Sequence, residues 1–498
     1  MTAAAMAKGW CPGALRPMAS GDGLIVRLRI GDGVGLELAA EIARWSLRWG
    51  NGQIDLTSRA NLQLRGVGAE GLTELRDALS ACGLLDASPE AEAVRNVIAS
   101  PLAGLDPDAV LDIRPLVAKL EQRLTGDPAL HALPAKFGFA IDDGGRFGLG
   151  DGPADIRFAA RRADDGPVFD IRLDGAPDFR LGPCRPEDFV DTAATLAQAF
   201  IAARHASADI RRMRDWVPTG GIDVIAAAAG LPVSPCSAPR IAPASAYLGV
   251  HPLGAAAFIG IGLPFGRIAA HDLAALTDQI AWLGGQELRL TPWRTLLVPL
   301  PSLGAAQELA AVLVRHETPL SPLATDLPNL YSHQNTPSCA GLTRVSTPIR
   351  PRRSPSIVLC RSTWVRGSSP RMTISERNTK RANAAAPTGE GDAPFILDAS
   401  DPLRRVAACV GAPACPRATT DIRTDAVRLA KAMPFAGTLH VSGCAKGCAH
   451  PKTAALTLVG RDGRYDLIRD GAPWDAPAAH NLTVAQAERL IVPEAAPA

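Results

Sequence analysis

Four cysteines in the last hundred residues have the types and spacing to do chemistry. Cys409 and Cys415 in "CVGAPACPRA" make a CxxxxxC pair, and Cys444 and Cys448 in "HVSGCAKGCAHP" make a CxxxC pair about thirty residues on. Four thiolates on two short loops suit a [4Fe–4S] cube, in which each iron takes one protein sulfur. Gly443 and Gly447 let the second loop bend tightly and keep side chains clear of its contents. Structural zinc is the alternative, but its cysteine pairs are usually spaced CxxC. The spacing therefore favours the cluster. His440 and His450 flank the second pair and read as loop or core histidines, with His450 within reach of an iron. Cys11, Cys82, Cys184, Cys236, Cys339 and Cys360 show no ligand spacing and are expected to pack as small apolar residues or, in the case of Cys339 and Cys360, to sit exposed.

The elements that must position these loops occur twice. "GNGQIDLTSRANLQLRGV" (Gly50 to Val67) aligns with "GGQELRLTPWRTLLVPL" (Gly284 to Leu300) at a constant offset of 234, so that Leu56 and Thr57 meet Leu290 and Thr291. In each copy an amphipathic helical pattern precedes the strands and another follows them ("LELAAEIARWSLRW" and "GLTELRDALSACG"; "AAHDLAALTDQIAWL" and "AAQELAAVLVRH"). That is a duplicated α+β half-domain. Beyond it Asp86 in "LLDASPEAEAVRNVIASP" matches Asp398 in "ILDASDPLRRVAACVGAP" at an offset of 312, leaving 78 extra residues in the second copy. They run roughly from Glu317 to Pro394, lack periodicity, and read as a disordered basic insertion.

The insertion also explains the charge. Thr336 to Arg381 holds ten Lys/Arg against one Asp/Glu, which leaves 42 basic and 49 acidic residues elsewhere, a net charge of −7 against +2 for the whole chain. A nucleic-acid arm would interleave aromatics with its cations, and Trp364 is the only one in the segment, so no nucleic-acid partner is expected. At 498 residues the chain has room for two to four domains. Its apolar runs are too short and too rich in Gly and Pro to span a bilayer. The first residues lack the apolar core of a secretory signal, so the expectation is a cytoplasmic protein with reduced cysteines. "GIGLPFG", from Gly260, reads as a strand-to-helix turn rather than a nucleotide loop, and "LVGRDGRYDLI" as a hairpin turning at Asp462-Gly463. With no flavin or nicotinamide domain in view, electrons are expected from a separate reductase.

CxxxxxC followed by CxxxC at the end of a duplicated α+β chain resembles the sirohaem-containing sulfite and nitrite reductases. Within that superfamily "GWCPGALRPMASGDGLIVRLR", "LTSRANLQLRGV", "RNVIASPLAG", "LPAKFGFAIDDGG" and "AACVGAPAC" resemble the precorrin-3B synthase family, over nearly the whole chain outside the insertion. The resemblance implies two ferredoxin-like half-domains, 1–85 and 236–316, and two sirohaem-reductase-type α/β domains, 86–235 and 395–498, with 317–394 inserted. It also implies that the second α/β domain carries the [4Fe–4S] cluster on Cys409, Cys415, Cys444 and Cys448. The implied activity is O2-dependent hydroxylation and lactone formation on precorrin-3A, with electrons from NADH and a mononuclear non-haem iron. No ligand set for that iron, and no catalytic residue, emerges from the sequence. A sirohaem-dependent sulfite or nitrite reductase is the alternative.

A tetrapyrrole derived from uroporphyrinogen carries carboxylates around its rim and needs fixed cations, preferably arginines. One Arg or Lys alone is ordinarily a solvated surface residue. In their motif context Arg59, Arg95 and Lys136 are the expected substrate contacts, with Asn61 and Gln63 adding hydrogen bonds, and Arg27 in "LIVRLRI" an even candidate. Arg59 is expected on the strand of the first copy, where the second copy has Trp293 followed by Arg294. The reductases usually read Lys-Phe-Lys where this chain has "KFG"; Gly138 in place of the second lysine argues against reduction of sulfite or nitrite.

Overall fold

The computed structural model describes residues 10–31, 33–150, 152–236, 244–315, 395–433 and 437–491. The insertion expected at 317–394, with Cys339 and Cys360, lies outside them. The helical periodicities are realised: Leu36–Trp49 buries Ala39, Ile42, Ala43 and Ser46 along one stripe, and its counterpart Ala270–Trp282 buries Leu273, Leu276 and Ile280. These two helices lie against each other, and both half-domains share one hydrophobic core.

Their sheets exchange edge strands. The first runs Met18–Ser20, Gly23–Leu28, Leu62–Val67, Gln53–Leu56 and then Arg267–Ala269, a strand of the second copy; the second runs Gly249–Leu253, Ala256–Gly262, Thr295–Leu300, Glu287–Leu290 and then Gly33–Gly35, a strand of the first. All pairings are antiparallel, with Arg267 opposite Asp55 and Leu288 opposite Val34. A sheet edge is an unpaired row of donors and acceptors, and each copy covers the other's.

Each α/β domain is built around the same sheet. In the first, Val97–Ala99, Phe139–Asp142 and Ile156–Ala163 run parallel, followed by antiparallel Gly166–Leu173, Phe179–Cys184 and Val233–Pro235. In the second, Val406–Ala408, Leu439–Ser442 and Ala454–Arg461 run parallel, followed by antiparallel Arg464–Gly471 and Ala479–Leu482. The expected hairpin is present, turning at Asp462 and Gly463 with φ of 48° and 76°. Downstream of the undescribed segment the chain resumes within the shared core: Phe395 is buried there, and Gly262 and Ile396 exchange two backbone hydrogen bonds of 2.8 Å.

The second α/β domain docks on the first sheet through charge. Arg423, on its helix Ile422–Lys431, lies 3.4 Å from Asp55, which also takes Arg267 at 2.7 Å and Arg65 at 3.8 Å. Burial alone would raise the Asp55 carboxyl, but the hydrogen bond from Arg267 and the charges of Arg423, Arg267 and Arg65 hold it below its usual value. Phe265 packs into the second domain's core, and the backbone N–H of Gly21 donates to Ala414 O at 3.0 Å.

Two outcomes are expected. Asp55→Asn costs about 3 kcal/mol of unfolding free energy at pH 7, the loss typical of a broken buried ion pair. Because the folded pKa is depressed, that contribution is present above the unfolded value of about 3.9 and lost as pH falls through the folded one, so variant and parent converge in acid; denaturant titrations at pH 7 and below pH 4 measure both. Replacing 317–394 by a flexible linker of about ten residues leaves the thermal midpoint within a few degrees, since loop-closure entropy changes by only about 2 kcal/mol over a tenfold change in length. Loss of soluble protein on that deletion would contradict it.

Candidate cluster and ring-binding site

Val406–Ala408 and Leu439–Ser442 are parallel neighbours with Ala408 opposite Val441, so the loops leaving their C-terminal ends emerge side by side. This brings Cys409 and Cys415 to Cys444 and Cys448. The Gly443 N–H donates to Cys409 Sγ at 3.1 Å. A Cβ on Gly443 would lie 2.7 Å from the Ala418 methyl and 3.4 Å from Cys409 Sγ, and one on Gly447, at φ 62°, 2.8 Å from the Pro473 ring. Both glycines are required by close approach. Burial pushes the Cys409 thiol up, opposed by the N–H groups of Gly443 and Gly411 and reinforced by Cys415 and Cys444. Burial also raises Cys448, with Lys446 opposing and the other three cysteines adding to the shift. Cys409 and Cys448 thus each lie within electrostatic reach of the rest of the set.

Among the described residues no three His, Cys, Asp or Glu side chains gather tightly enough to hold a single ion. Four sulfurs on one zinc would sit about 2.3 Å from it and so about 3.8 Å from one another. Sulfur donors on two loops, a backbone N–H on one sulfur and two glycines lining the space fit a wider group, the [4Fe–4S] cube. A mononuclear iron finds no such fit. His450 Nε2 is 3.3 Å from Thr453 O, and its ring stands edge-on to His440 with centroids 5.7 Å apart. His440 belongs to the core: it is fully buried on its strand, and burial, with a smaller push from His450, lowers it to about 4.

The first α/β domain repeats the same loops without the sulfurs. Ser100 and Asp106 follow Val97–Ala99 as Cys409 and Cys415 follow Val406–Ala408, and Gly144 and Gly148 follow Phe139–Asp142 as Cys444 and Cys448 follow Leu439–Ser442. The hydrogen bonds correspond: Asp143 N–H to Ser100 Oγ at 3.0 Å matches Gly443 N–H to Cys409 Sγ, and Asp106 N–H to Leu102 O at 3.0 Å matches Cys415 N–H to Gly411 O at 2.7 Å. Carboxylates close these loops, Asp106 accepting from the Phe147 N–H and Asp142 from those of Gly144 and Leu149. Burial pushes Asp143 up to about 6. The sequence carried this signal, the equal stride of "SPLAGLD" and "CVGAPAC", which the offset of 312 hides.

Beside the cluster loops lies the polar face of the first sheet. Cross-strand pairing aligns Arg27, Gln63, Asp55 and Arg267 in one row, while Val26, Leu28, Ile54, Leu62 and Leu64 face the core. Gln63, one of the expected hydrogen-bonding residues, lies on that row. Arg59 does not lie on a strand, contrary to expectation. It sits in the turn between Gln53–Leu56 and Leu62–Val67, because Thr57 Oγ1 accepts from the Arg59 and Asn61 N–H groups and Ala60 adopts φ 52°. From that turn its Nη2 reaches Lys136 O at 3.5 Å, so Arg59 and Lys136 adjoin, with the Lys136 side chain exposed. Asn61 and Arg95 instead line a cavity of about 450 Å³ between the helix Arg114–Gly126 and the second sheet's strands Gly33–Gly35 and Glu287–Leu290. There Arg95 is 4 % exposed and committed to Asp86 at 2.9 Å and to Arg29 O at 2.9 Å.

The face carries more cations than the motifs name. Burial lowers Arg27, Arg59 and Arg294, and lowers Arg423 to about 10 with Arg267 adding to the shift. Among the described residues no carboxylate forms an ion pair with Arg27 or Arg59. Next to them the Asp155 carboxylate accepts from the Gly138 N–H at 3.0 Å and from Arg212 at 2.7 Å, which fixes that guanidinium. The counterpart face in the second copy is filled: Trp293, at the position of Arg59, stacks on Tyr247 with centroids 4.4 Å apart, and the Tyr247 hydroxyl donates to Gly148 O at 2.5 Å. Arg267, Arg423 and Arg212 had no motif to find them by. Asp55 and Arg27 were legible as the polar half of an alternating strand.

Residues 16–82 match the family described as the nitrite/sulfite reductase ferredoxin-like half domain, and 90–263 match the nitrite and sulphite reductase 4Fe–4S domain. The second match covers the oxygen-closed copy, and the four cysteines lie in its repeat. The chain is 30% identical over 487 residues to a precorrin-3B synthase from Sinorhizobium sp, covering 96% of this chain and 86% of that protein. It is also 30% identical over 330 residues to a ferredoxin–nitrite reductase from Synechococcus elongatus, covering 61% and 64%. The structure of the Mycobacterium tuberculosis NirA protein shares the fold, with a TM-score of 0.59 at 18% identity over 94% of this chain and 79% of that one. With its duplicated half-domains, its paired cysteine loops and a relative matched nearly end to end, the chain belongs to the precorrin-3B synthase family of the nitrite/sulfite reductase superfamily.

Proposed function

We propose that the protein hydroxylates precorrin-3A with O2 and closes a lactone on it, using electrons that originate in NADH and arrive through a separate reductase. The observation that carries this reading is the polar face of the first sheet, where Arg27 is buried and Arg59 half-buried, neither paired with a carboxylate, beside loops built for a cluster. Buried guanidiniums without an anion are costly unless one arrives with the substrate, and a ring bordered by acetates and propionates supplies several. In this reading Arg27, Arg59 and Lys136 fix the carboxylates and so set which ring carbon meets oxygen, Gln63 adds a hydrogen bond, and Asn61 and Arg95, the latter held by Asp86, form the wall behind them. Cys409, Cys415, Cys444 and Cys448 hold the [4Fe–4S] cluster, which when bound supplies electrons one at a time. Gly138, where a second lysine would deliver protons to sulfite or nitrite, supports oxygenation over reduction. The domain limits 1–85, 86–235, 236–316, 317–394 and 395–498 belong to the same proposal, with the first and third interleaved by strand exchange.

The test is the composition of protein purified without oxygen. About four irons and four sulfides per chain without bound sirohaem is the expected result, with Cys444→Ser reducing both to near zero; tightly bound sirohaem would make the protein a reductase, and zinc alone would make the loops structural. Arg59→Gln and Arg27→Gln are each expected to weaken binding of uroporphyrin III, followed by absorbance, by about 10- to 100-fold, the worth of one charge-assisted hydrogen bond. Unchanged affinity in both variants would remove this face from the binding site.

A further inference from the structure

The charged row has two ends. Arg27, Gln63, Asp55 and Arg267 stand on four adjacent strands, so three interstrand spacings put the backbones of Arg27 and Arg267 about 14 Å apart. Only the first end, with Arg59 and Lys136 near it, is named by sequence motifs. At the other end three guanidiniums gather about one carboxylate. Arg267 donates to both oxygens of Asp55, at 2.7 and 3.2 Å, and Arg423 to one of them at 3.4 Å. Arg294 arrives from the second copy, from the turn between Glu287–Leu290 and Thr295–Leu300. A Cβ on Gly266 would lie 2.6 Å from Arg294 Cδ and 2.7 Å from Leu56 O. Gly266 precedes Arg267 and Leu56 follows Asp55, so the stem of Arg294 ends beside that ion pair.

Asp55 does not satisfy all of these cations. It also serves Arg65 at 3.8 Å, and Arg423 keeps a buried Nε with no hydrogen-bond partner. Among the described residues Arg294 has neither an ion pair nor a side-chain hydrogen bond, although it is half-buried. A guanidinium presents five N–H donors, and removing them from water without an acceptor is costly. The second end of the row is therefore short of an anion, as the first is.

We propose that Arg294, with Arg423 beside it, is a second anchor for the rim carboxylates of the tetrapyrrole, at the opposite end of the row from Arg27 and Arg59. This inference rests on the reading of the polar face as the ring site. A macrocycle held along one edge swings about that edge. Anchors at both edges fix its rotation over the sheet, which a reaction confined to one ring carbon requires. Arg294 thereby sets which carbon is presented, and its counterpart in the first copy, Ala60, has no charge with which to do so.

The experiment is absorbance titration of the cluster-loaded, full-length protein with uroporphyrin III at low and raised salt. Arg294→Gln is expected to weaken binding about 10- to 100-fold, the worth of one charge-assisted hydrogen bond, and to make the affinity less steeply dependent on salt. Arg294→Lys keeps the charge and is expected to recover part of the loss. Combining Arg294→Gln with Arg27→Gln is expected to weaken binding by the product of the two single effects, because the two ends hold different carboxylates. Unchanged affinity in Arg294→Gln, while Arg27→Gln weakens binding, overturns the inference and leaves the ring site in place. Weaker binding with an unchanged salt dependence marks a structural role for Arg294 and also overturns it. Absence of ring binding in the parent protein overturns both readings.

Discussion

One carboxylate holds the functional half of the molecule together. Asp55 is an inward-turned acid on a sheet whose polar face is otherwise dominated by arginines, and it takes Arg65 from its own half-domain, Arg267 from the exchanged strand and Arg423 from the cluster-bearing domain. A buried ion pair repays its desolvation only when geometry and additional hydrogen bonds are good. Here one charge is divided among three partners drawn from three stretches of chain. The arrangement remains short of anions, and that shortage extends along the row to Arg27 and on to Arg59 in the adjoining turn. The docking of the domains and the surplus of positive charge on this face thus have one electrostatic origin.

Symmetry in the chain makes asymmetry in the site. Both α/β domains fold the same pair of parallel strands into the same pair of loops, with matching hydrogen bonds at their bases. What fills them differs: oxygens close the first pair, and thiols line the second. The facing half-domains differ in step. Arg59 leaves a charged opening in one, and Trp293 on Tyr247 seals the other with stacked rings. A duplicated fold thereby offers one open cationic face and one pair of cysteine loops, on surfaces that meet.

Much of this was legible in the sequence. The cysteine spacing, the offset of 234 and the alternation of the strands located the cluster loops, the duplicated half-domains and the polar face, because each depends on local periodicity or on residue type. Partners were not legible. Arg267 and Arg423 reach Asp55 across 212 and 368 residues, and their helices and strands carry no motif. Arg59 was misplaced by a few ångströms of backbone, because Thr57 closes a turn that reads as continuous strand.

The exchanged edge strands bear on how the chain is made. During synthesis Gln53–Leu56 leaves the ribosome with one side unpaired, and it stays so until Arg267–Ala269, more than two hundred residues later, has emerged. The first half-domain is thus a long-lived nascent intermediate with an open sheet edge, the kind of species that aggregates or engages chaperones. Its pairing with the second copy is a contact of high sequence separation and so closes late. The polar face, completed by that same late strand, comes into being only when the polypeptide is past its midpoint.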